Sequence, residues 1–303
     1  MSISSDSSLD QQEHSIRPVV NPPPGIESDP KERWVALCKT FDDNGNGNAT
    51  SSTSPEHTPI APVAVARLAN FGLSTTLNEA MWQPDSKSEK LIKKASGDSE
   101  WMNQSFVEGL KSASTGSSSS TDVLVWTGSF KHGLYGSEVP AIRSAGIVKT
   151  SSKKLMELLV DSTRVKEYNK MSLGRTDLVT FDGNLEEEGP FGKSITKVMR
   201  SESKPPMLSL LALTSISHAK ELSDSSGYLI VSRAVQRADE EPPTTEIVMG
   251  VNLIVDFDSE DGSERCLMVN VNHMRSPMVP MYIAKKVAVT SAHKFINDIR
   301  TLV

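Results

Sequence analysis

From Arg175 to Met274 the chain offers six strand-like runs, and it then closes on a single helical period of about 20 residues. The runs are Arg175–Asp182, Lys193–Glu202, Ser215–Leu222, Gly227–Gln236, Glu246–Asp258 and Arg265–Met274. Turn-forming stretches such as DGN, SDSSG, DEEPP and DSEDG separate them. Strands joined this closely pair as antiparallel hairpins, because a parallel neighbour needs a crossover of a dozen or more residues. The final stretch, PMVPMYIAKKVAVTSAHKFINDIRTLV, places Pro280 near a helix start. Ile283, Val287, Phe295, Ile296 and Ile299 then follow at helical spacing. A run of hairpins followed by one long helix specifies an α+β architecture. A helix laid across a curved sheet leaves a space between the two, to be filled by side chains or by a ligand.

The segment before this run supplies the rest of the fold. Apolar residues at three-to-four spacing predict helices over Val63–Trp82 and Glu89–Ala113, each interrupted by a glycine, Gly72 or Gly97. Ser112–Ser120 reads as a short flexible linker. Strands are expected over Asp122–His132 and Val139–Thr150. Ser151–Lys170 reads as an amphipathic helix with Ser151 or Ser152 as its N-cap. No period of 20–50 residues recurs, which excludes solenoids and propellers.

Residues 1–60 are poor in large apolar side chains and rich in Ser, Asp, Asn, Pro and Gly, so the expectation is a disordered N-terminal region ahead of one domain over 61–303. Residues 1–120 carry 15 acidic and 10 basic side chains of a chain whose net charge is −6, so the remainder is nearly neutral and suits no nucleic-acid surface. Cys38 and Cys266 are too far apart in sequence to suggest a disulfide framework or a metal knuckle. No basic-then-apolar leader and no run of ~18 apolar residues occurs, so the expected setting is cytoplasmic, with at most peripheral contact with membranes.

The stretches VKTSSKKLMELLVDSTRVKEYNKM, GYLIVSRAVQ and VPMYIAKKVAVTSAHKFINDIR, taken in this order, resemble the START (StAR-related lipid-transfer) family and its helix-grip fold. Tyr168-Asn169 falls at the family's usual Trp-Asp. The likeness covers roughly residues 120–303. The chain departs from the pattern at Thr214-Ser215-Ile216, where the family has Arg-Asp-Phe, and at Met274-Arg275-Ser276-Pro277, where it has Asp-Leu-x-Gly. The resemblance implies a curved antiparallel sheet wrapped around the C-terminal helix, with an internal cavity for one lipid. It also implies that Ser203–Leu213 is an apolar lid over the cavity mouth, and that Met281, Ala284, Ala288 and Phe295 line the gripping helix.

Within that lid, the double proline Pro205-Pro206 precedes Met207, Leu208, Leu210, Leu211 and Leu213. These residues either close a cavity or simply begin the next strand as ordinary core. In SISHAKEL, alternation puts Ile216, His218, Lys220 and Leu222 on one face. If that face is inward, Lys220 needs a partner or a ligand head group. An ungapped match sets Lys220 where sterol-carrying relatives have an Arg, and Glu202 within one residue of their acidic partner. Arg233 shares its face with Leu229, Val231 and Val235. Lys285, Lys286, Lys294 and Arg300 give the last helix a basic face that suits anionic head groups or plain solvation.

No HExxH, GxSxG or CxxC pattern occurs, and no cofactor or metal is called for. The acidic run Glu186–Glu188 reads as a hairpin tip. The expected function is binding, and transfer between membranes, of one hydrophobic lipid by a monomeric protein that is not an enzyme. Two alternatives stay open: a helix-grip enzyme with His218 as its acid–base group, and an adaptor whose cavity is filled by side chains.

Overall fold

The computed structural model describes residues 60, 62–95, 122–132, 137–204, 210–223, 226–237, 246–257, 262–275 and 281–303, together with Val19–Val20. Of the tail expected over 1–60, only Val19–Val20, paired in parallel with Gln236–Arg237, and the buried Ile60 are among them. The linker Ser112–Ser120 lies outside the described residues.

The first helix, α1 (Pro62–Leu77), opens on a proline and buries Val65, Leu68, Ala69, Gly72, Thr75 and Thr76 along one stripe. It stops earlier than its periodicity suggests, because Asn78 accepts a bond from the Ala80 N–H (3.2 Å) and starts a tight turn over Glu79–Met81. Gly72 does not break the helix. A methyl group built on it would lie 2.9 Å from Val231 Cγ1, so its bareness is what lets α1 lie against the sheet. A two-residue strand, β1 (Gln83–Pro84), leads into α2 (Ser86–Ala95), whose first turn is capped by Asp85 through the Ser88 N–H (2.8 Å). The rest of the helix expected over Glu89–Ala113 lies outside the described residues.

Two long strands, β2 (Leu124–His132) and β3 (Ser137–Val148), precede the helical segment that was expected to be continuous to Lys170. It is instead α3 (Ser152–Val160), a tight turn at Ser162–Arg164, and the short α4 (Val165–Tyr168). The break falls at Asp161, whose carboxylate accepts from both the Thr163 N–H (2.8 Å) and its hydroxyl (2.7 Å) and so competes with the helical ladder. The six expected strands follow as β4 (Ser172–Gly189), β5 (Gly192–Ser203), β6 (Leu211–Glu221), β7 (Gly227–Ala234), β8 (Glu246–Phe257) and β9 (Arg265–Arg275). The chain ends in α5 (Met281–Arg300).

All nine strands form one curved antiparallel sheet in the order β1-β2-β3-β9-β8-β7-β6-β5-β4. Both faces are covered. The outer face packs Val198, Ile216, Leu229, Val231, Val251 and Val269 against α1, Trp82 and Trp126. The inner face packs Ile142, Ala219, Ile230, Ile254, Cys266 and Met268 against α3, α4 and α5.

Candidate functional site

Strand alternation fixes which side chains meet α5. On β3 the inner positions are Ile142, Ser144, Gly146 and Val148, and on β9 they are Cys266, Met268, Asn270 and Asn272. On β8 they include Ile254 and Asn252, on β7 Ile230 and Ser232, and on β6 Ala219, Ser217 and Ser215. Ser144 stands opposite Asn270, which stands opposite Asn252. Two residues further along the strands Ser232 stands opposite Ser217, which stands opposite Lys197. A band of hydroxyls and carboxamides thus crosses an otherwise apolar surface.

The helix α5 covers this surface unevenly. In its C-terminal half Ala292, Ile296 and Ile299 are buried. A methyl group on Gly146 would lie 2.9 Å from Arg300 Nη2 and 3.1 Å from Ile296 Cγ2, so glycine admits the helix at that point. Arg300 then donates to the Ile147 carbonyl (2.8 Å) and the Asp122 carbonyl (3.2 Å). His293 Nε2 lies 3.5 Å from Asp85 Oδ2, and together with the Ser88 bonds it keeps that carboxyl below its usual range despite partial burial. In the N-terminal half Ala288 and Val289 still pack against the inner cluster, but three larger side chains turn outward. Tyr282 is 75% exposed, and Ile283 and Val287 are also exposed. On the inner face of the sheet, Ser232, Asn252 and Asn270 are half-buried and Asn272 is exposed.

Three side chains hold the helical cap on the inner face. Asp256 of β8 accepts from the Ser152 N–H (3.0 Å) and its hydroxyl (2.7 Å) at the start of α3. At the end of α3, Arg175 donates to the Leu159 carbonyl (2.7 Å) and Lys197 to the Val160 carbonyl, cations placed where a helix carries its partial negative charge. Lys197 also pairs with Asp177 at 2.8 Å, and Ser162 bonds to the same carboxylate. Tyr168, at the family's Trp position, donates to the Leu159 carbonyl (3.2 Å) and meets the Phe295 ring edge-on at 6.0 Å. Cys266 sits beneath this cap, and burial pushes its thiol up to about 12, which leaves it protonated and unreactive.

The expected site residues divide between the faces. Leu211 and Leu213 are strand residues of β6 and share parity with Ser215 and Ser217, so they belong to the inner face; Leu210 precedes the strand and is 54% exposed. Ala284, Ala288 and Phe295 are half-buried on α5. Met207, Leu208 and the side chain of Met281 lie outside the described residues.

His218, Lys220, Glu202 and Arg233 do not face inward. His218 and Lys220 share parity with Ile216, Arg233 with Val231, and Glu202 with Val198, all on the outer face. Glu202 lies opposite Ala212, eight residues along β6 from Lys220, or roughly 27 Å at 3.4 Å per residue, so the two form no pair. Glu202 is instead 3.8 Å from Arg200. His218 ends a buried chain in which its Nδ1 meets Thr196 Oγ1 (2.8 Å), Thr196 meets Ser194 (2.7 Å) and Ser194 donates to Asp182 (2.8 Å). Burial, with Lys220 adding to it, pushes the imidazole down to about 4, so it is neutral near pH 7.

One buried cation was not singled out from sequence. Arg143 is 2% exposed on the outer face, its guanidinium 5.1 Å from the Trp82 ring and 4.6 Å from the Trp126 ring. It donates to the Thr76 carbonyl (3.0 Å) in the last turn of α1. Burial pushes its pKa down to about 9, while Glu79 opposes the fall. The arrangement ties the first helix to the back of the sheet.

No protein-family model matches the chain, and no curated protein matches its sequence. Solved structures do. Human StAR-related lipid transfer protein 5 is similar at a TM-score of 0.52 and 11% identity, over 78% of this chain and 92% of that one. Human STARD10 is similar at a TM-score of 0.51 and 12% identity, over 77% of each chain. The lipid transfer and protein localization domain of human StarD13 is more distant, at a TM-score of 0.46 and 12% identity over 61% of this chain and 86% of that one. Identities this low speak to fold alone. With its nine-stranded curved antiparallel sheet and the long C-terminal helix on the inner face, the chain has a divergent START-type helix-grip fold.

Proposed function

We propose that this protein binds one hydrophobic, lipid-class molecule between the inner face of its sheet and the N-terminal half of α5, and carries it between membranes. The observation that carries this reading is the uneven seating of α5. Its C-terminal half buries Ala292, Ile296 and Ile299 and is bonded to β3, whereas Tyr282, Ile283 and Val287 stand exposed, and the inner face of the sheet carries half-buried Ser232, Asn252 and Asn270. A helix evolved only to seal a core would bury these side chains, each worth roughly 1.5–3 kcal/mol. Leu210, exposed just before β6 on the strand that carries the inner-face Leu211 and Leu213, adds to the same apolar rim. Human StAR-related lipid transfer protein 5, which has a similar fold, is named for lipid transfer, and this accords with a lipid ligand. Lys285 and Lys286 beside the rim suit an anionic membrane surface, at ~1 kcal/mol each. No described helix is long and apolar enough to cross a membrane, so the contact proposed is peripheral.

The test is to extract the purified protein for copurifying lipid, and to measure transfer of sterol, diacylglycerol, ceramide and phospholipid between donor and acceptor liposomes. One bound lipid per chain and transfer above the spontaneous rate are expected. No bound lipid and no transfer of any of the four would end the reading.

A further inference from the structure

We infer that the inner face recognises an uncharged, hydrogen-bonding head group, an alcohol or an amide, through Ser144, Asn252 and Asn270, with Ser232 alongside. This rests on the lipid-binding reading and specifies its ligand. The observation behind it is the orphaned hydroxyl of Ser144, at one end of this row. Ser144 and Ser215 are each 1% exposed, and neither hydroxyl has a hydrogen-bond partner. A buried polar group without a partner is costly, and native structures leave few of them. Both project on the inner face, but Ser215 lies four strands across and four residues along from Ser144, roughly 23 Å away. One head group therefore meets Ser144 and its row, and a bound molecule there would supply the partner that Ser144 lacks.

The neighbouring amides are already oriented to help. Asn270 Nδ2 donates to Asn252 Oδ1 (2.8 Å) and to the Val251 carbonyl (3.3 Å). That bond uses the amide group of Asn270 and the carbonyl of Asn252. The two N–H donors of Asn252 and the carbonyl oxygen of Asn270 are therefore the atoms left to meet a ligand. Ser144 stands directly across from Asn270, and Asn252 on its other side. At about 4.8 Å between strands the three span about 10 Å, the width of one small polar head. Donors and acceptors alternate along this line, as an alcohol or amide requires, since either donates and accepts at once.

Three charges of the inner face are already engaged. Lys197, the cation in the row of Ser217 and Ser232, is paired with Asp177 and bonded to the Val160 carbonyl. Arg175 is bonded to the Leu159 carbonyl and Asp256 to Ser152. An ionised phosphate or carboxylate head would enter this row with no free counter-charge among the described inner-face residues named here, and a buried unpaired ion is strongly disfavoured.

The experiment measures binding of the full chain to lipids of matched size in three classes: cholesterol, diacylglycerol and ceramide; phosphatidic acid and phosphatidylserine; and squalene, which has no head. The first class should bind at least tenfold tighter than the second. Asn252→Leu with Asn270→Leu should lower affinity for the first class tenfold or more and leave squalene unchanged or tighter. Ser144→Ala gives a second readout, because removing an unpaired buried hydroxyl should leave the melting temperature equal or higher while weakening the alcohol and amide lipids. Anionic lipids binding as well as neutral ones, or variants that keep the neutral preference intact, would overturn the inference while the lipid-binding reading stands. No binding of any class by the wild-type chain would overturn both.

Discussion

Arg300 Nε donates to the Ile147 carbonyl at 2.8 Å, so the last turn of α5 is bonded to β3 at the point where Gly146 lets the helix come closest. The helix is bonded to the sheet at this end and carries exposed apolar side chains at the other. Arg300→Ala removes two charge-assisted bonds to backbone carbonyls and should cost about 2 kcal/mol of stability, with hydrogen exchange rising first in α5 and β3. Chemical denaturation with exchange mass spectrometry checks both. Exchange that rises first in β4–β5 instead would mean that the anchor lies elsewhere.

Arg143 should behave as a structural cation. Arg143→Ala leaves the Thr76 carbonyl without its donor, removes stacking on two indoles and opens a void, for an expected loss of about 3 kcal/mol or more. Arg143→Lys should recover little, because an ammonium cannot lie flat between Trp82 and Trp126. The intrinsic fluorescence of these two tryptophans and the denaturation midpoint report the outcome together.

How far these features could be read in advance depended on whether they are local. Strand positions were legible because alternation and turn residues act within a few positions, and β5 to β9 fall within a few residues of their expected bounds. The face that each strand turns inward was not legible. Ile216 and Leu222 are apolar because they meet the cluster under α1, while the inner face carries Ser215 and Ser217. The rule that apolar means inward fails when both faces are covered and the inner side of the strand carries serines, so alternation alone puts His218 and Lys220 on the wrong face. Arg143 gave no local signal either, since its partners Trp82 and Thr76 are brought to it only by α1 and β1 docking. The short β4 expected over Arg175–Asp182 grew to Ser172–Gly189 because bulges carry pairing across positions that break the alternation.

Acid should weaken the fold through His218. Its folded pKa of about 4 lies below the ordinary 6.5, so the unfolded chain binds the extra proton first. The stability from keeping this imidazole neutral is therefore complete above about pH 6.5, falls as pH drops towards 4, and levels off below. By pH 5 the loss is roughly 2 kcal/mol, from 1.36 kcal/mol per unit. Denaturation midpoints of the wild type and His218→Gln at pH 5 and 7 test this, since the glutamine variant keeps a polar partner for Thr196 and should lose most of the slope. An unchanged slope would assign it to another group.

Gly72 should tolerate nothing large. Its Cβ position is 2.9 Å from Val231 and 3.1 Å from Val251, so Gly72→Leu forces α1 off the sheet at a cost of about 2 kcal/mol. The damage should stay on the outer face. Lipid binding by the folded fraction should match the wild type, as measured by titration below the melting temperature.

The apolar rim gives the sharpest separation of function from folding. Leu210 and Val287 are exposed, so Leu210→Asp with Val287→Asp removes little buried area and should change the unfolding free energy by no more than about 0.5 kcal/mol per site. If the rim meets membrane, the same pair places two negative charges against an anionic surface and should cut vesicle association and transfer at least tenfold. Leu211→Asp is the contrasting control, because Leu211 is half-buried within β6 and its substitution should lower stability directly. Co-sedimentation with vesicles of neutral and anionic composition, run beside thermal melts, reads both effects. A double variant that melts like the wild type and transfers lipid at the wild-type rate would show that the exposed half of α5 is not the entrance.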